Sequence, residues 1–137
     1  METVYAEITL KNAGDVARAE YGHITEQEVR TATVTALVDT GCGSLVINEE
    51  LCKTLGLSIR GLRSAELADG SKQNYQVTEP VEIHWKNRDT ACKALVLPGA
   101  RDVLLGAIPL EDMDLIVNPA QLELPGAHGD EILSMVK

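Results

Sequence analysis

The spacing of turn-forming residues restricts the fold of this chain more than any other feature. Short runs of apolar and β-branched residues are interrupted about every ten residues by Gly, Pro, Asn or Asp. Residues 4–10 alternate apolar and polar side chains, and residues 29–38 are rich in Val and Thr, as expected for strands. The pattern predicts about eight short strands, and therefore a mainly β domain, closed or sandwiched, rather than repeated βαβ units.

A short helix, or at most a pair of them, is predicted between the strands. Asn48 can accept a free amide hydrogen at a helix start, and the two glutamates after it suit the positive end of the helix dipole. Gly56 fits the position just past the helix end, and Pro109 suits the first turn of a second helix over residues 109–113. Residues 15–24 have no clear period, so we expect an irregular connection there.

A long β-hairpin is predicted in the middle of the chain. Residues 63–68 and 77–85 form its arms, and residues 69–71 form its turn. The tip is polar and small, so it is expected to project from the core and to be mobile. Pro80 cannot donate a ladder hydrogen bond, which favours an edge or an irregularity in the second arm. Tyr75, near the start of that arm, is expected to face solvent.

The length of 137 residues fits one domain, which we expect to span residues 1–125. Strand candidates beyond the hairpin include residues 115–117 and 122–124. Residues 126–137 could form a frayed helix or a tail.

The charge balance favours some partners over others. The chain has 21 acidic and 12 basic residues and a formal net charge of −9. Such a surface repels phosphates and anionic lipid head groups, which argues against nucleic acid and membrane surfaces as partners and favours a peptide or protein ligand. No apolar run approaches roughly 18 residues, and the N-terminus lacks a signal-peptide pattern, which predicts a cytoplasmic location.

The three cysteines, Cys42, Cys52 and Cys92, are an odd number at wide spacings. No C-x-x-C occurs, and the histidines are scattered singly. A closed disulfide framework and a structural zinc site are both disfavoured, so we expect reduced thiols and no metal.

The segment Asp39-Thr40-Gly41 places an acid, a hydroxyl and a glycine directly after the apolar run of residues 36–38. A carboxylate there is costly unless it is used or paired. One interpretation is an ordinary turn, in which the Asp39 side chain bonds the backbone two residues on and Gly41 supplies the unusual dihedral angles. The other interpretation is a functional carboxylate.

Three segments occur in an order that resembles the retroviral-like (retropepsin) aspartic proteases, specifically their small cellular and bacterial members. They are ALVDTGCGSLVI, the hairpin around LADGS, and VLLGAIPLEDMDLIVNP. The resemblance covers roughly residues 28–124. It implies a closed, barrel-like β fold with a β-hairpin flap, to which residues 1–27 add an N-terminal strand and a connection.

The resemblance also implies a catalytic mechanism. Asp39 would be the catalytic acid, and because the motif occurs once per chain, the active enzyme would be a homodimer. Thr40 would reach across the two-fold axis to bond the partner's loop, and Gly41 would let the substrate approach closely. Two carboxylates that share a proton would activate a water molecule against a peptide bond, with no metal or cofactor.

Further site residues follow from the same resemblance. The segment Leu104-Leu105-Gly106 would pack under the catalytic loop, where Gly106 would permit a close backbone crossing. Core packing explains Val46 and Ile47 as well as substrate contact does. The candidate substrate-binding residues are Leu67, Ala68, Asp69, Gly70 and Ser71 at the hairpin tip, with Val46 and Ile47 as pocket walls.

One position departs from the family pattern. Cys42 follows the motif where a small Ala or Ser is usual, and its oxidation is expected to inhibit the enzyme by crowding the catalytic loop; alternatively it is a small buried residue.

Three functions remain open from the sequence. The first is a homodimeric aspartic endopeptidase acting on extended peptide segments. The second is a non-catalytic dimeric module of the same fold that binds peptides or proteins. The third is a monomeric β-domain in which the motif is only a turn.

Overall fold

The computed structural model describes residues 4–66, 70–99 and 102–117, and in these ranges it is mainly β. A 3₁₀ turn at Glu26–Glu28 precedes the second strand. The elements, in chain order, are β1 (Val4–Asn12), α1 (Ala13–Glu20), β2 (Thr31–Val38), β3 (Leu45–Asn48), α2 (Glu49–Thr54), β4 (Ile59–Glu66), β5 (Lys72–Trp85), β6 (Arg88–Leu97), β7 (Val103–Leu105) and α3 (Ala107–Asp112).

Six of the strands close into a barrel. They are hydrogen-bonded in the order β1-β2-β7-β3-β6-β5, and β1 also pairs with β5, so the sheet closes on itself. The pairs β2–β7 and β3–β6 are parallel, and the others are antiparallel. β4 is added outside the ring, on β5. The prediction of a mainly β, closed barrel of the retropepsin type is confirmed.

The barrel interior is filled by alternate residues of the strands. In β1 the even-numbered residues are buried and the odd-numbered residues are half-buried or exposed, because successive side chains of a strand point to opposite faces. Full burial of one aliphatic side chain stabilises the fold by about 1.5–3 kcal/mol. The largest fully buried apolar side chains are Ile8, Leu10, Leu45, Ile47, Leu55, Val81, Ile83 and Leu105.

The helix α1 occupies part of the region that the sequence predicted to be an irregular connection. The Asn12 side chain caps it by accepting from the Asp15 N–H (3.0 Å), and the Asn12 amide also donates to the carbonyl of Leu55 (2.9 Å). Asp15 in turn accepts from the backbone N–H and the guanidinium of Arg30. Contacts with residues far along the chain therefore stabilise the helix. Because these contacts are polar, the sequence of the helix itself shows no clear apolar period that would predict it.

The helix α2 begins and ends where its sequence signals predicted. Asn48 accepts from the Leu51 N–H (2.7 Å), and Gly56 has a φ of +62°, which only glycine adopts without strain.

In contrast, residues 115–117 do not form the predicted strand, since only Leu115 makes a bridge. Asp114 turns the chain with a φ of 59°, and Arg88 donates to the carbonyl of Asp114 (3.1 Å).

The long hairpin is present. β4, the first arm, begins earlier than predicted, at Ile59. The two arms of the hairpin stay paired as far as Glu66 and Lys72. The register of β5 against β6 shifts between Val77 and Pro80, so the predicted irregularity is confirmed. Tyr75 is 8% exposed, so the expectation that it faces solvent is wrong.

Some predictions lie outside the described residues. They concern Leu67, Ala68 and Asp69 at the hairpin tip, the strand candidate at residues 122–124, and the segment 126–137.

Candidate active site

The D-T-G loop (residues 39–44) begins where β2 ends. The Asp39 N–H donates to the carbonyl of Leu105 (3.0 Å), which extends the parallel pairing of β2 with β7 by one residue. The Asp39 Oδ1 accepts from the Gly41 N–H (3.0 Å), and the Asp39 carbonyl accepts from the Cys42 N–H (3.1 Å). The turn interpretation is thus confirmed for the hydrogen bond of the Asp39 side chain and is wrong for Gly41, which does not adopt a positive φ. The turn also holds the carboxyl group in one orientation.

The residues of the motif differ in exposure. Asp39 is half-buried, whereas Thr40 and Gly41 are exposed. Among the side chains and backbone groups that the structure describes, none donates to Oδ2 of Asp39. One carboxylate oxygen is therefore engaged by the loop, and the other is available to a water molecule or a second chain.

Gly106 lies directly against the D-T-G loop. A Cβ atom on Gly106 would lie 2.4 Å from the carbonyl oxygen of Ser44 and 2.5 Å from that of Cys42, closer than any real Cβ contact. The first residues of α3 bind the same loop, since the Ala107 N–H donates to the carbonyl of Cys42 (2.7 Å) and the Ile108 N–H to that of Gly43 (3.1 Å). The structure thus brings together two segments that the sequence placed in one site.

An apolar row crosses the outer face of the barrel beside the D-T-G loop. Residues directly opposite each other on paired strands share a face of the sheet. The pairs are Leu37 with Leu104, Leu104 with Val46, Val46 with Leu95, and Leu95 with Val77. We call these five residues the outer apolar row. Val46 and Val77 are buried, and the other three are half-buried.

The outer apolar row lies on the same side of β2 as the catalytic candidate. Asp39 follows Leu37 by two residues, and side chains two apart on an extended segment point to the same face. The intervening Val38 packs against the core instead. Leu37 and its partner Leu104 are therefore the row residues nearest to Asp39 in the strand pairing.

The two predicted pocket residues point in opposite directions. Val46 belongs to the outer apolar row, whereas Ile47 is 0% exposed and belongs to the core cluster. The core interpretation therefore applies to Ile47, because neighbouring residues of a strand face opposite sides of the sheet. Leu104, predicted only as support for the loop, lies in the row.

Leu37, Leu95 and Val77 are not among the contact residues that the sequence predicts. The alternation along each strand does indicate that these side chains lie on the face opposite to the core. Their alignment in one row depends on β7 lying between β2 and β3, which no local pattern indicates.

The hairpin leaves the barrel from the end of this row. Val77 belongs both to the row and to the second hairpin arm, and Tyr75, two residues before it, is buried on the same face. At the tip, Gly70 has a φ of +87° and is exposed, as is Ser71. The hairpin thus begins at one end of the outer apolar row, and the D-T-G loop lies beside the other end.

The Cys42 thiol lies inside the D-T-G loop, half-buried, and donates to the carbonyl of Ser44 (3.4 Å). Burial raises the pKa of the other two thiols, Cys52 and Cys92. Within the described ranges, no group of three or more His, Cys, Asp or Glu side chains could hold a metal ion.

Comparison with protein families identifies the class of protein. The family described as "gag-polyprotein putative aspartyl protease" matches residues 24–112, more than half of the chain, from before β2 to the end of α3. The chain belongs to this family and is a member of the retropepsin-like aspartic proteases. No curated protein matches the sequence significantly. None of the helices in the described ranges is long and apolar enough to cross a membrane.

Proposed function

We propose that the protein is a homodimeric aspartic endopeptidase. It hydrolyses peptide bonds in extended polypeptide segments with a water molecule activated by two Asp39 carboxylates, one from each chain. The observation that carries the proposal is the D-T-G loop, which holds Asp39 at a strand end on the face of the outer apolar row. Membership of an aspartic protease family supports the same reaction.

The homodimer follows from the chemistry of the reaction and the single motif. The D-T-G sequence occurs once in the chain, so a pair of motif aspartates needs two chains. Thr40 is exposed and free to bond the loop of a partner. We propose that residues 1–125 form the single catalytic domain and that residues 126–137 follow it as a tail.

The paired carboxylates act as base and acid together. Two carboxyl groups within hydrogen-bond distance cannot both ionise cheaply, so the pair retains one proton, as in aspartic proteases generally. The ionised member takes a proton from the bound water as the water attacks the scissile carbonyl carbon. The protonated member donates its proton to the carbonyl oxygen. The pair titrates as a unit, so the rate should follow a bell-shaped pH profile.

The substrate lies extended between the D-T-G loop and the hairpin. The outer apolar row offers pocket walls for apolar side chains near the scissile bond, and Leu37 and Leu104 are its residues nearest to Asp39 in the strand pairing. The hairpin tip, residues 67–71, closes over the peptide and supplies backbone hydrogen bonds.

The test is cleavage profiling of a diverse peptide mixture by mass spectrometry at several pH values from about 4 to 7. Wild type is compared with Asp39→Asn, which keeps an oxygen to accept from the Gly41 N–H. Sedimentation reports the oligomeric state of both proteins. Cleavage by wild type alone, in a dimer, supports the proposal.

Other outcomes separate the alternatives. A dimer that binds peptides without cutting them would be a binding module. A monomer without activity would leave the motif as a turn. Equal cleavage by both proteins would show that Asp39 is not the catalyst.

A further inference from the structure

A groove of about 220 Å³ lies at the base of the hairpin, next to the outer apolar row. We call it the basic groove. Its lining residues are Arg60, Gly61, Leu62, Arg63, Val77 and Lys93.

The basic groove is a local exception in an acidic protein. The chain has only 12 basic residues and a net charge of −9, yet Arg60, Arg63 and Lys93 converge on this one depression. Arg60 has a distant acidic neighbour, Glu79, at 3.8 Å. Glu79 is also engaged by the Ser58 N–H (2.9 Å). Among the side chains that the structure describes, none pairs with Arg63 or Lys93.

The basic groove continues the proposed substrate cleft. Val77 belongs both to the outer apolar row and to the groove lining. Lys93 lies two residues from Leu95 on β6, and Arg63 is paired with the buried Tyr75, so both follow the face of the row. A peptide lying along the row toward the hairpin would reach the groove without leaving that face.

The distance along the sheet sets which substrate positions can reach the groove. Lys93 on β6 and Val77 on β5 lie three and four strand steps from β2, the strand that ends at Asp39, which is on the order of 14 to 19 Å at roughly 4.8 Å per step. An extended peptide advances roughly 3.3 Å per residue, so the groove lies about three to six residues from a bond held at Asp39.

We propose that the basic groove binds acidic side chains of the substrate about three to six residues from the scissile bond, on one side of it. The inference rests on the proposed protease function and defines its substrate class: extended segments with apolar residues at the cut and Asp or Glu farther along. The remaining acidic surface repels such a peptide, so the groove also selects the direction in which it binds.

The experiment uses two peptides with the same apolar residues around the cut. One has a pair of Glu residues three to six positions away, placed in turn on each side, and the other has Gln there. The readout is the ratio of kcat/KM for the Glu peptide to that for the Gln peptide, at low and high salt. Binding of the same peptides to the Asp39→Asn protein, measured by fluorescence anisotropy, provides a readout that does not depend on cleavage.

Three variants define the source of the preference. Arg63→Glu and Lys93→Glu each reverse one groove charge, and Arg63→Lys keeps the charge. Lys53→Glu makes the same charge change at an exposed position in the last turn of α2 and serves as the matched control.

Wild type is expected to prefer the Glu peptide roughly three- to tenfold at low salt, because each exposed charge pair contributes little and two or three act together. High salt should reduce the ratio. Arg63→Glu and Lys93→Glu should each lower the ratio of kcat/KM values toward one. Arg63→Lys and Lys53→Glu should retain the wild-type ratio.

The contrary outcomes are distinct. Asp39-dependent cleavage with a ratio near one, or a ratio lowered equally by Lys53→Glu, overturns this inference and leaves the protease function standing. A Glu preference in binding that depends on Arg63 and Lys93, without any cleavage, supports the groove and counts against the protease function. Absence of both cleavage and peptide binding overturns both.

Discussion

Two aspartates, one in α1 and one after β2, occupy opposite kinds of environment. Asp15 is 2% exposed and is surrounded by donors: the Arg30 backbone N–H (3.0 Å), the Arg30 guanidinium (2.8 and 2.9 Å) and the Arg18 guanidinium. Asp39 is half-buried and accepts one backbone hydrogen bond within its own loop. The Asp15 carboxylate is fully engaged in joining α1 to the start of β2, whereas that of Asp39 is held in place and left accessible.

The difference shows how the same residue type serves structure or chemistry. The Arg30 guanidinium, the largest influence, holds the pKa of Asp15 well below its usual range, despite the opposing effect of burial. A carboxylate paired in this way cannot exchange a proton near neutral pH. A catalytic carboxylate has to do so, and it therefore needs an accessible oxygen.

The largest effect is expected from Asp39→Asn. It should lower kcat/KM by about 10³-fold or more, because the substitution replaces both carboxylates of the pair, one in each chain, and removes the base and the acid together. The free energy of unfolding should change by less than about 0.5 kcal/mol, since the loop hydrogen bond is retained. Kinetics on a cleaved peptide and urea unfolding measure the two quantities. A large loss of stability would mean that Asp39 is a structural residue like Asp15.

Gly106→Ala is expected to damage both stability and activity. The added methyl group overlaps backbone atoms of the D-T-G loop, which should cost about 1–3 kcal/mol and displace Asp39. A displacement of about 1 Å can lower activity about 100-fold. Gly43→Ala is the matched control in the same loop, because a Cβ there meets no atom within 4 Å. Equal behaviour of the two variants would contradict the close crossing.

Asp15→Asn should reverse the pattern of Asp39→Asn. It removes a buried charge that faces two guanidinium groups, and we expect a loss of about 1–3 kcal/mol, reduced because Arg30 is 47% exposed and partly screened by solvent. Chemical denaturation measures the loss, and kcat at a temperature where the variant is folded should stay near that of wild type. A variant as stable as wild type would show that the cluster contributes nothing.

The pH dependence of stability should report Asp15. Its pKa is lowered on folding, so its contribution is fully present above the unfolded-state value of about 3.9 and is lost progressively as the pH falls below it. The difference in unfolding free energy between wild type and Asp15→Asn should therefore shrink between pH values of about 4 and 2. Urea titrations across this range test the sign, and a difference that grows on acidification would refute it.

The smallest effect is expected from oxidation of Cys42. Sulfur oxidation adds oxygen atoms inside the D-T-G loop, and we expect partial loss of activity in peroxide that a thiol reductant restores at the sulfenic stage. Cys42→Ser retains a small donor toward Ser44 and should be insensitive. Activity that persists in wild type, when mass spectrometry confirms oxidation of Cys42, would rule out this sensitivity.

Local signals were sufficient for much of the fold. The alternation in β1, the cap at Asn48 and the glycine at Gly56 act through neighbouring residues, so the sequence predicts them directly. The same holds for the turn at Asp39 and for the register shift near Pro80, since each depends on the bonding capacity of a single residue type.

Long-range contacts account for what the sequence did not predict. The helix α1 depends on Asn12 reaching Leu55 and on Asp15 reaching Arg30, and neither partner is near in sequence. Tyr75 is buried on the face of β5 that also carries Val77, a burial that no local pattern in the hairpin arm indicates. Residues 115–117 form no strand, because the chain turns at Asp114, yet Leu115 and Val117 still pack against the core.

By itself the sequence determined that the chain forms a mainly β domain with one acidic motif at a strand end, because strand periodicity, turn chemistry and glycine placement are local properties. Only the tertiary structure decided which side chains share a surface. The neighbours Val46 and Ile47 lie on opposite faces of the sheet, Val46 in the outer apolar row and Ile47 in the core. Leu37, Leu95 and Val77 come from three different strands and share that row. The outer apolar row and the basic groove exist because strand pairing joins residues that are far apart in the chain.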